Sequence, residues 1–139
     1  MSALDQVPFH LMRKVFQAHT ALWQQSLPEL TKPQYAVIRA VAECPGIEQV
    51  SLTEAAISTK ATLADLLSRL EKRGLIERRQ QEHDKRRRFV YLTPDGEALL
   101  ASVDPIARQV DQQFLSRLTD SEQHTLSGLL HQMVNPPEA

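Results

Sequence analysis

The run Asp84-Lys85-Arg86-Arg87-Arg88-Phe89-Val90-Tyr91-Leu92-Thr93-Pro94-Asp95-Gly96 decides the fold. It passes from a cluster of bases into a strand-forming stretch, Arg88 to Leu92, and then into a helix start, with Thr93 as cap and Pro94 at the first helical position. A matching strand, Leu75-Ile76-Glu77-Arg78-Arg79, lies upstream across the charged loop Gln80–Arg87. That loop has no Asn-Gly turn, and its shape is left open. Before the first strand the apolar period is helical. Leu63, Leu66, Leu67 and Leu70 form one stripe from about Ala61 to Lys72, and Gly74 closes it. Further upstream, Ser51-Leu52-Thr53-Glu54 reads as a capping box opening a short helix that ends near Ile57. Two helices joined by a short turn and followed by a two-stranded hairpin make a winged helix-turn-helix. In that arrangement the second helix enters the major groove, and the basic hairpin tip reaches the flanking backbone or minor groove.

The flanks read as helix. Residues 5–25 carry Val7, Leu11, Val15, Ala18 and Leu22 at three- and four-residue steps. Thr31 caps a second helix with Pro33 in its first turn; Tyr35, Ala36, Ile38, Ala40 and Val41 form its apolar side, and Cys44-Pro45-Gly46 ends it. After Thr93, Leu99, Val103, Ile106, Val110, Phe114 and Leu118 carry a long helix through Pro105, where a kink is expected. Thr119 or Asp120 caps a last helix bearing Leu126, Leu129, Leu130 and Met133, and Pro136-Pro137 ends the order. The expected fold is therefore mainly α with a small β-hairpin wing, in one domain spanning 1–139.

At 139 residues, with 42% hydrophobic and 24% charged side chains, the chain is neither disordered, collagen-like nor a disulfide scaffold. No apolar run is long enough for a bilayer, and the N-terminus lacks a signal-peptide pattern. With the lone Cys44, this gives a cytoplasmic expectation with no membrane partner. The net charge of −1 conceals an asymmetry. Lys60 to Arg88 holds ten bases against five acids, a net +5, and leaves −6 on the rest. An acidic body with one basic segment is the footprint of a nucleic-acid binder.

Three pieces of sequence resemble the MarR family of bacterial transcriptional regulators. They are Leu30-Thr31-Lys32-Pro33-Gln34-Tyr35, Leu70-Glu71-Lys72-Arg73-Gly74-Leu75-Ile76-Glu77-Arg78, and the wing from Asp84 to Gly96, which fits an Asp-x-Arg … Leu-Thr-x-x-Gly pattern. The resemblance covers nearly the whole chain. It implies a homodimer with a helical dimerisation region from both chain ends (5–30 and 98–135) around a DNA-binding lobe (31–97). It further implies a palindromic double-stranded operator as partner, and control by a small aromatic or phenolic acid. The apolar stripes of the flanking helices agree, being more than one lobe can cover. The sequence departs from the family at Ile57, where the turn often carries Gly, and at Ala61, Thr62, Ala64 and Asp65, where many relatives carry more Ser, Thr and Arg.

Arg86 at the wing tip is the foremost expected DNA contact, with Asp84 as the partner that orients it. Lys85, Arg87 and Arg88 surround it, one of the two arginines facing the helical body because strand neighbours alternate. Thr59 and Thr62 read as cap and phosphate contact, and Lys60 as a phosphate contact. Ala61, Ala64, Asp65 and Arg69 complete the helix face, with Asp65 either accepting from a cytosine amino group or pairing with Arg69. Arg73, Arg78 and Arg79 could equally be solubility charges. For the effector, Phe16, His19, Trp23, Tyr35 and Arg39 are the expected lining, aromatic walls with one cation suiting an aromatic carboxylate. Each could instead belong to a core or dimer seam. No catalytic constellation occurs, and neither enzyme activity, cofactor nor metal is expected. Cys44 reads as a buried or incidental thiol. The alternatives are a redox- or metal-responsive regulator on the same fold, or a protein-interaction module that has lost DNA binding.

Overall fold

The computed structural model describes residues 2–135 and 137; of the expected terminal Pro136-Pro137 stop, Pro136 lies outside the described residues. Prolines and hydroxyl caps set the helix starts. Val7 is extended (φ −95°, ψ 114°), as the residue before a proline tends to be. The helix expected from residue 5 is thus split into a single 3-10 turn, Ala3–Gln6, and α1, Pro8–Ser26. Thr31 caps α2, Lys32–Glu43, in a capping box with Gln34: each side chain accepts from the other's backbone N–H, at 3.2 and 3.0 Å. Thr93 caps α5, Pro94–Leu115, and Thr119 with Glu122 caps α6, Asp120–Val134. α5 ends three residues before the expected Leu118.

The helix-turn-helix consists of α3, Gln49–Ala55, and α4, Lys60–Lys72. The capping box expected at Ser51 does not form. α3 starts earlier, directly from Glu48, no side chain caps it, and Ser51 lies within the helix. The reason is a strand invisible to periodicity. Ile47–Glu48 (β1) pairs antiparallel with β3, Arg88–Leu92, which also pairs with β2, Ile76–Gln80. The wing is therefore a three-stranded sheet in the order β1-β3-β2 rather than a two-stranded hairpin. Gly46 makes the entry to β1 possible. It sits at φ +79°, and a Cβ there would meet the Tyr91 hydroxyl oxygen at 2.9 Å.

α2 packs against α3, α4, α5 and β3 and is the hub of the core. Val37, Ile38 and Val41 from α2 meet Leu52, Leu63, Leu67, Leu70, Val90 and Val103, all at most 1% exposed. Burying each such side chain contributes about 1.5–3 kcal/mol. Gly96 explains the glycine of the wing pattern. The start of α5 lies so close to the backbone leading into β2 that a Cβ at Gly96 would lie 2.0 Å from the Leu75 carbonyl oxygen. α5 also packs along α1. α6 buries none of its residues, and Leu129, Leu130 and Met133 remain 54%, 43% and 57% exposed; Val7, Phe9 and Leu11 of the N-terminal segment are exposed as well.

Candidate nucleic-acid interface and effector region

α4 divides cleanly. Leu63, Leu67 and Leu70 point into the core, while Thr59, Lys60, Ala61, Thr62, Ala64, Asp65 and Arg69 are exposed. The Thr59 hydroxyl accepts the Thr62 backbone N–H at 3.2 Å and donates to the Thr62 hydroxyl at 2.9 Å. Asp65 takes the pairing alternative, accepting from Arg69 Nε at 3.0 Å. The turn before α4 contains Ile57 at φ +54° and 93% exposed, a left-handed conformation held by a β-branched side chain. Its backbone N–H donates to the Glu54 carbonyl at 3.2 Å, and that of Ser58 to Thr53 at 2.8 Å.

The loop left open by the sequence turns at Asp84. One carboxylate oxygen accepts both the Arg86 backbone N–H at 3.0 Å and its Nε at 3.4 Å, while the Arg86 side chain is 94% exposed. Arg87 lies against the sheet instead, donating from Nε and Nη2 to the two Glu48 oxygens at 3.0 and 3.2 Å and covering the Phe89 ring. This bidentate bond holds the Glu48 carboxyl below its ordinary range. Lys60, Arg86 and Arg88 together line a hollow of about 460 Å³ between the start of α4 and the wing. Arg78, for which a solubility charge is one of two open readings, has a side chain only 15% exposed and forks onto Glu71, whose carboxyl it holds below the usual range. Arg79 pairs with Glu77 and covers the Tyr91 ring.

The five expected effector residues do not line one cavity. Phe16 and His19 border a hollow of about 320 Å³ with Val15, Asp111, Phe114 and Leu115. Trp23 is 3% exposed, its Nε1–H donates to the Leu30 carbonyl at 2.8 Å, and it lines a separate groove with Lys32. Its ring meets Tyr35 edge-on at 5.2 Å. Tyr35 and Arg39 are engaged on the other side. The Tyr35 hydroxyl donates to Asp104 at 2.5 Å, and Arg39 lies 3.5 Å from Asp104 and 3.3 Å from Glu43. Arg108 joins Asp104 at 3.0 Å. Burial, then the bond to Asp104, pushes the Tyr35 hydroxyl up to about 12. The same bond, with Arg108 and Arg39, holds the Asp104 carboxyl below its ordinary range. Arg39 therefore lines a third cleft, with Tyr91, Leu100 and Asp104, apart from Phe16 and His19.

Sequence reasoning missed Lys32. Its ammonium donates to His19 Nδ1 at 3.0 Å and stands 5.5 Å from the Phe16 ring centre. Since an ammonium can only donate, Nδ1 accepts and Nε2 carries the proton, which His19 gives to Asp111 Oδ1 at 2.6 Å. The one available signal was its place at the capped start of a helix; its partners lie 13 residues away and beyond. Cys44 is exposed at the end of α2, not buried. Among the described residues no group of three or more His, Cys, Asp or Glu could hold a metal, and no helix is long and apolar enough to cross a membrane.

Residues 30–87 match the MarR family. The transcriptional regulator HosA of Escherichia coli O111:H- is 56% identical over 133 residues, covering 96% of this chain and 98% of its own. The PcaV transcriptional regulator of Streptomyces coelicolor, solved in complex with its natural ligand, superposes with a TM-score of 0.90 at 32% identity over 99% of both chains. BpsR of Bordetella bronchiseptica, solved to explain regulation of its DNA binding by 6-hydroxynicotinic acid, superposes with a TM-score of 0.86 at 32% identity, covering 91% of this chain and 97% of that one. Sequence, helix-turn-helix and three-stranded wing agree: the chain belongs to the MarR family of transcriptional regulators.

Proposed function

We propose that this chain is a repressor that binds a palindromic double-stranded operator as a homodimer and is released by a small aromatic acid. One observation carries the DNA reading: the start of α4 and the wing bring Lys60, Arg86 and Arg88 around one hollow beside the exposed face of α4. α4 would lie in the major groove, with Thr59, Lys60 and Thr62 toward phosphate, Ala61 and Ala64 toward the bases, and the Asp65–Arg69 pair on the same exposed face. Arg86, aimed by Asp84 and otherwise bathed in solvent, would reach the adjacent minor groove together with Lys85. Arg87 acts through Glu48 to hold the wing against β1. The regions 5–30 and 98–135 would form the dimer, which their exposed apolar side chains support. The regulation of BpsR by 6-hydroxynicotinic acid supports an aromatic-acid effector. Phe16 and His19 are its expected neighbours; Trp23 and Tyr35 back that region from the core, and Arg39 stands outside it.

Anisotropy titration of upstream DNA, at salt from 50 to 200 mM, tests this. With ~6–10 phosphates neutralised per dimer, affinity should fall roughly 10³–10⁵-fold across that range. Arg86→Ala should weaken binding by about 1–3 kcal/mol at unchanged helicity and oligomeric mass. A flat salt response, or wild-type affinity in the variant, rejects the operator reading.

A further inference from the structure

α4 turns an acid toward the groove it is read to enter. Asp65 is exposed and lies about 200° around the helix from Leu63, almost opposite the buried stripe of Leu63, Leu67 and Leu70. A carboxylate there faces the phosphates of any duplex that α4 enters, and so weakens binding to DNA in general. Its partner is Arg69, one turn on, whose Nε donates to Asp65 Oδ2 at 3.0 Å. The manner of that bond sets Arg69 apart. Arg78, Arg79 and Arg87 each spend Nε and one terminal nitrogen on their carboxylates, those of Glu71, Glu77 and Glu48. Arg69 spends Nε alone, and among the described residues neither of its terminal amino groups has a partner. Its side chain is 68% exposed and reaches back toward the N-terminal end of α4, the end that meets base edges first. Two free amino groups in one plane make the fork that matches guanine O6 and N7. A phosphate suits the position less well, because the Asp65 carboxylate beside it repels a full negative charge, which the acceptors of guanine do not carry.

We propose that Arg69 reads a guanine in each half of the operator through its two terminal amino groups, and that Asp65 is the positioning residue that aims it. This rests on the operator reading above and adds to it the base that is recognised. Asp65 acts in two ways. It holds the guanidinium before DNA arrives, so less side-chain freedom is lost on docking. Its charge also disfavours sequences that offer no guanine at that place, since the groove then gains an unanswered carboxylate. The pair thus gives up general affinity and gains discrimination. For the fold it does little, because an exposed ion pair of this spacing adds only marginally to stability.

The test is selection of binding sites by the full-length protein from a library of random duplexes, followed by anisotropy titration of the selected site. One G·C pair in each half-site should resist exchange for A·T, the exchange weakening wild type roughly 5–150-fold. At that guanine, 7-deazaguanine, which lacks the N7 acceptor, should weaken wild type at least about fivefold. Arg69→Ala should bind the guanine, deazaguanine and A·T duplexes equally at that position, with helicity and oligomeric mass as folding checks. Asp65→Ala should bind random DNA more tightly than wild type, lose most of the discrimination at the same position, and melt at an almost unchanged temperature. A wild-type site in which no guanine responds to deazaguanine overturns the proposal without reference to any variant. So does an Arg69→Ala protein that still distinguishes that guanine. An Asp65→Ala protein with undiminished discrimination overturns the positioning role and leaves an ordinary surface ion pair. Failure of wild type to select any sequence overturns the operator reading itself, a distinguishable result.

Discussion

Ile57 shows how one residue can run against its backbone. The turn into α4 needs a positive φ, and a β-branched side chain at +54° costs on the order of 1–2 kcal/mol relative to a residue suited to it. Nothing offsets that cost through packing, because the side chain is 93% exposed. Ile57→Asn should therefore stabilise the fold, raising the melting temperature by roughly 2–8 °C for about 1 kcal/mol. A thermal melt that falls instead would mean that the isoleucine makes a contact in the assembled protein. Gly46 and Gly96 are the opposite case. There the residue matches the demand, by positive φ at one and by backbone approach at the other. The wing tip works by a third route: Asp84 binds the Arg86 backbone and Nε at once, which aims a side chain that has no other support.

Between elements, α2 and α5 are joined through Asp104, which accepts from Tyr35 and lies beside Arg39 and Arg108. The linked pKa shifts have opposite signs and two pH windows. The Tyr35 pKa is raised to about 12, so its contribution is complete below the ordinary value of 10 and is lost as pH rises between them. The Asp104 pKa is depressed, so its contribution is present above the ordinary 3.8 and is lost as pH falls below that. Denaturant unfolding of wild type should weaken between pH 10 and 12. Tyr35→Phe should flatten that alkaline limb while lowering stability near pH 7 by about 0.5–1.5 kcal/mol. An identical alkaline limb in both proteins would show that Tyr35 does not titrate this junction.

For the molecule as a whole, the apolar side chains left uncovered are the dominant fact. α6 contributes nothing to the core, yet it presents Leu129, Leu130, Met133 and Val134 to solvent. A second copy would cover them and set the distance between two recognition helices, which must reach successive major grooves ~34 Å apart. Sedimentation at micromolar concentration should give twice the 15.7 kDa of the chain. Leu129→Asp should shift it toward the single chain and weaken operator binding in parallel. A single 15.7 kDa species for wild type would exclude the dimer. The release proposed above would need only a small bias in lobe spacing: a hundredfold loss of DNA affinity corresponds to about 2.8 kcal/mol of coupling.

The amino-acid sequence by itself determined the helix-turn-helix, the wing and most helix starts. Those depend on neighbours within one turn: Thr31 and Gln34, Thr59 and Thr62, Thr93 and Pro94, and the leucine stripe of α4. Where the local signal was weak, it misled. Ser51 offers a capping box that a two-residue strand pre-empts, and that strand is too short to show a period. The wing charges were legible as a group, but the capture of Arg87 by Glu48 was not, because the partners are 39 residues apart. Only the tertiary structure decided which cation faces the aromatic hollow. Arg39 and Lys32 look interchangeable on paper. The packing of α1, α2 and α5 puts Asp104 beside one, and places the imidazole of His19, itself bound to Asp111 some 92 residues away, beside the other. Helix caps are written in adjacent residues; charge pairing is written in the angle at which helices meet.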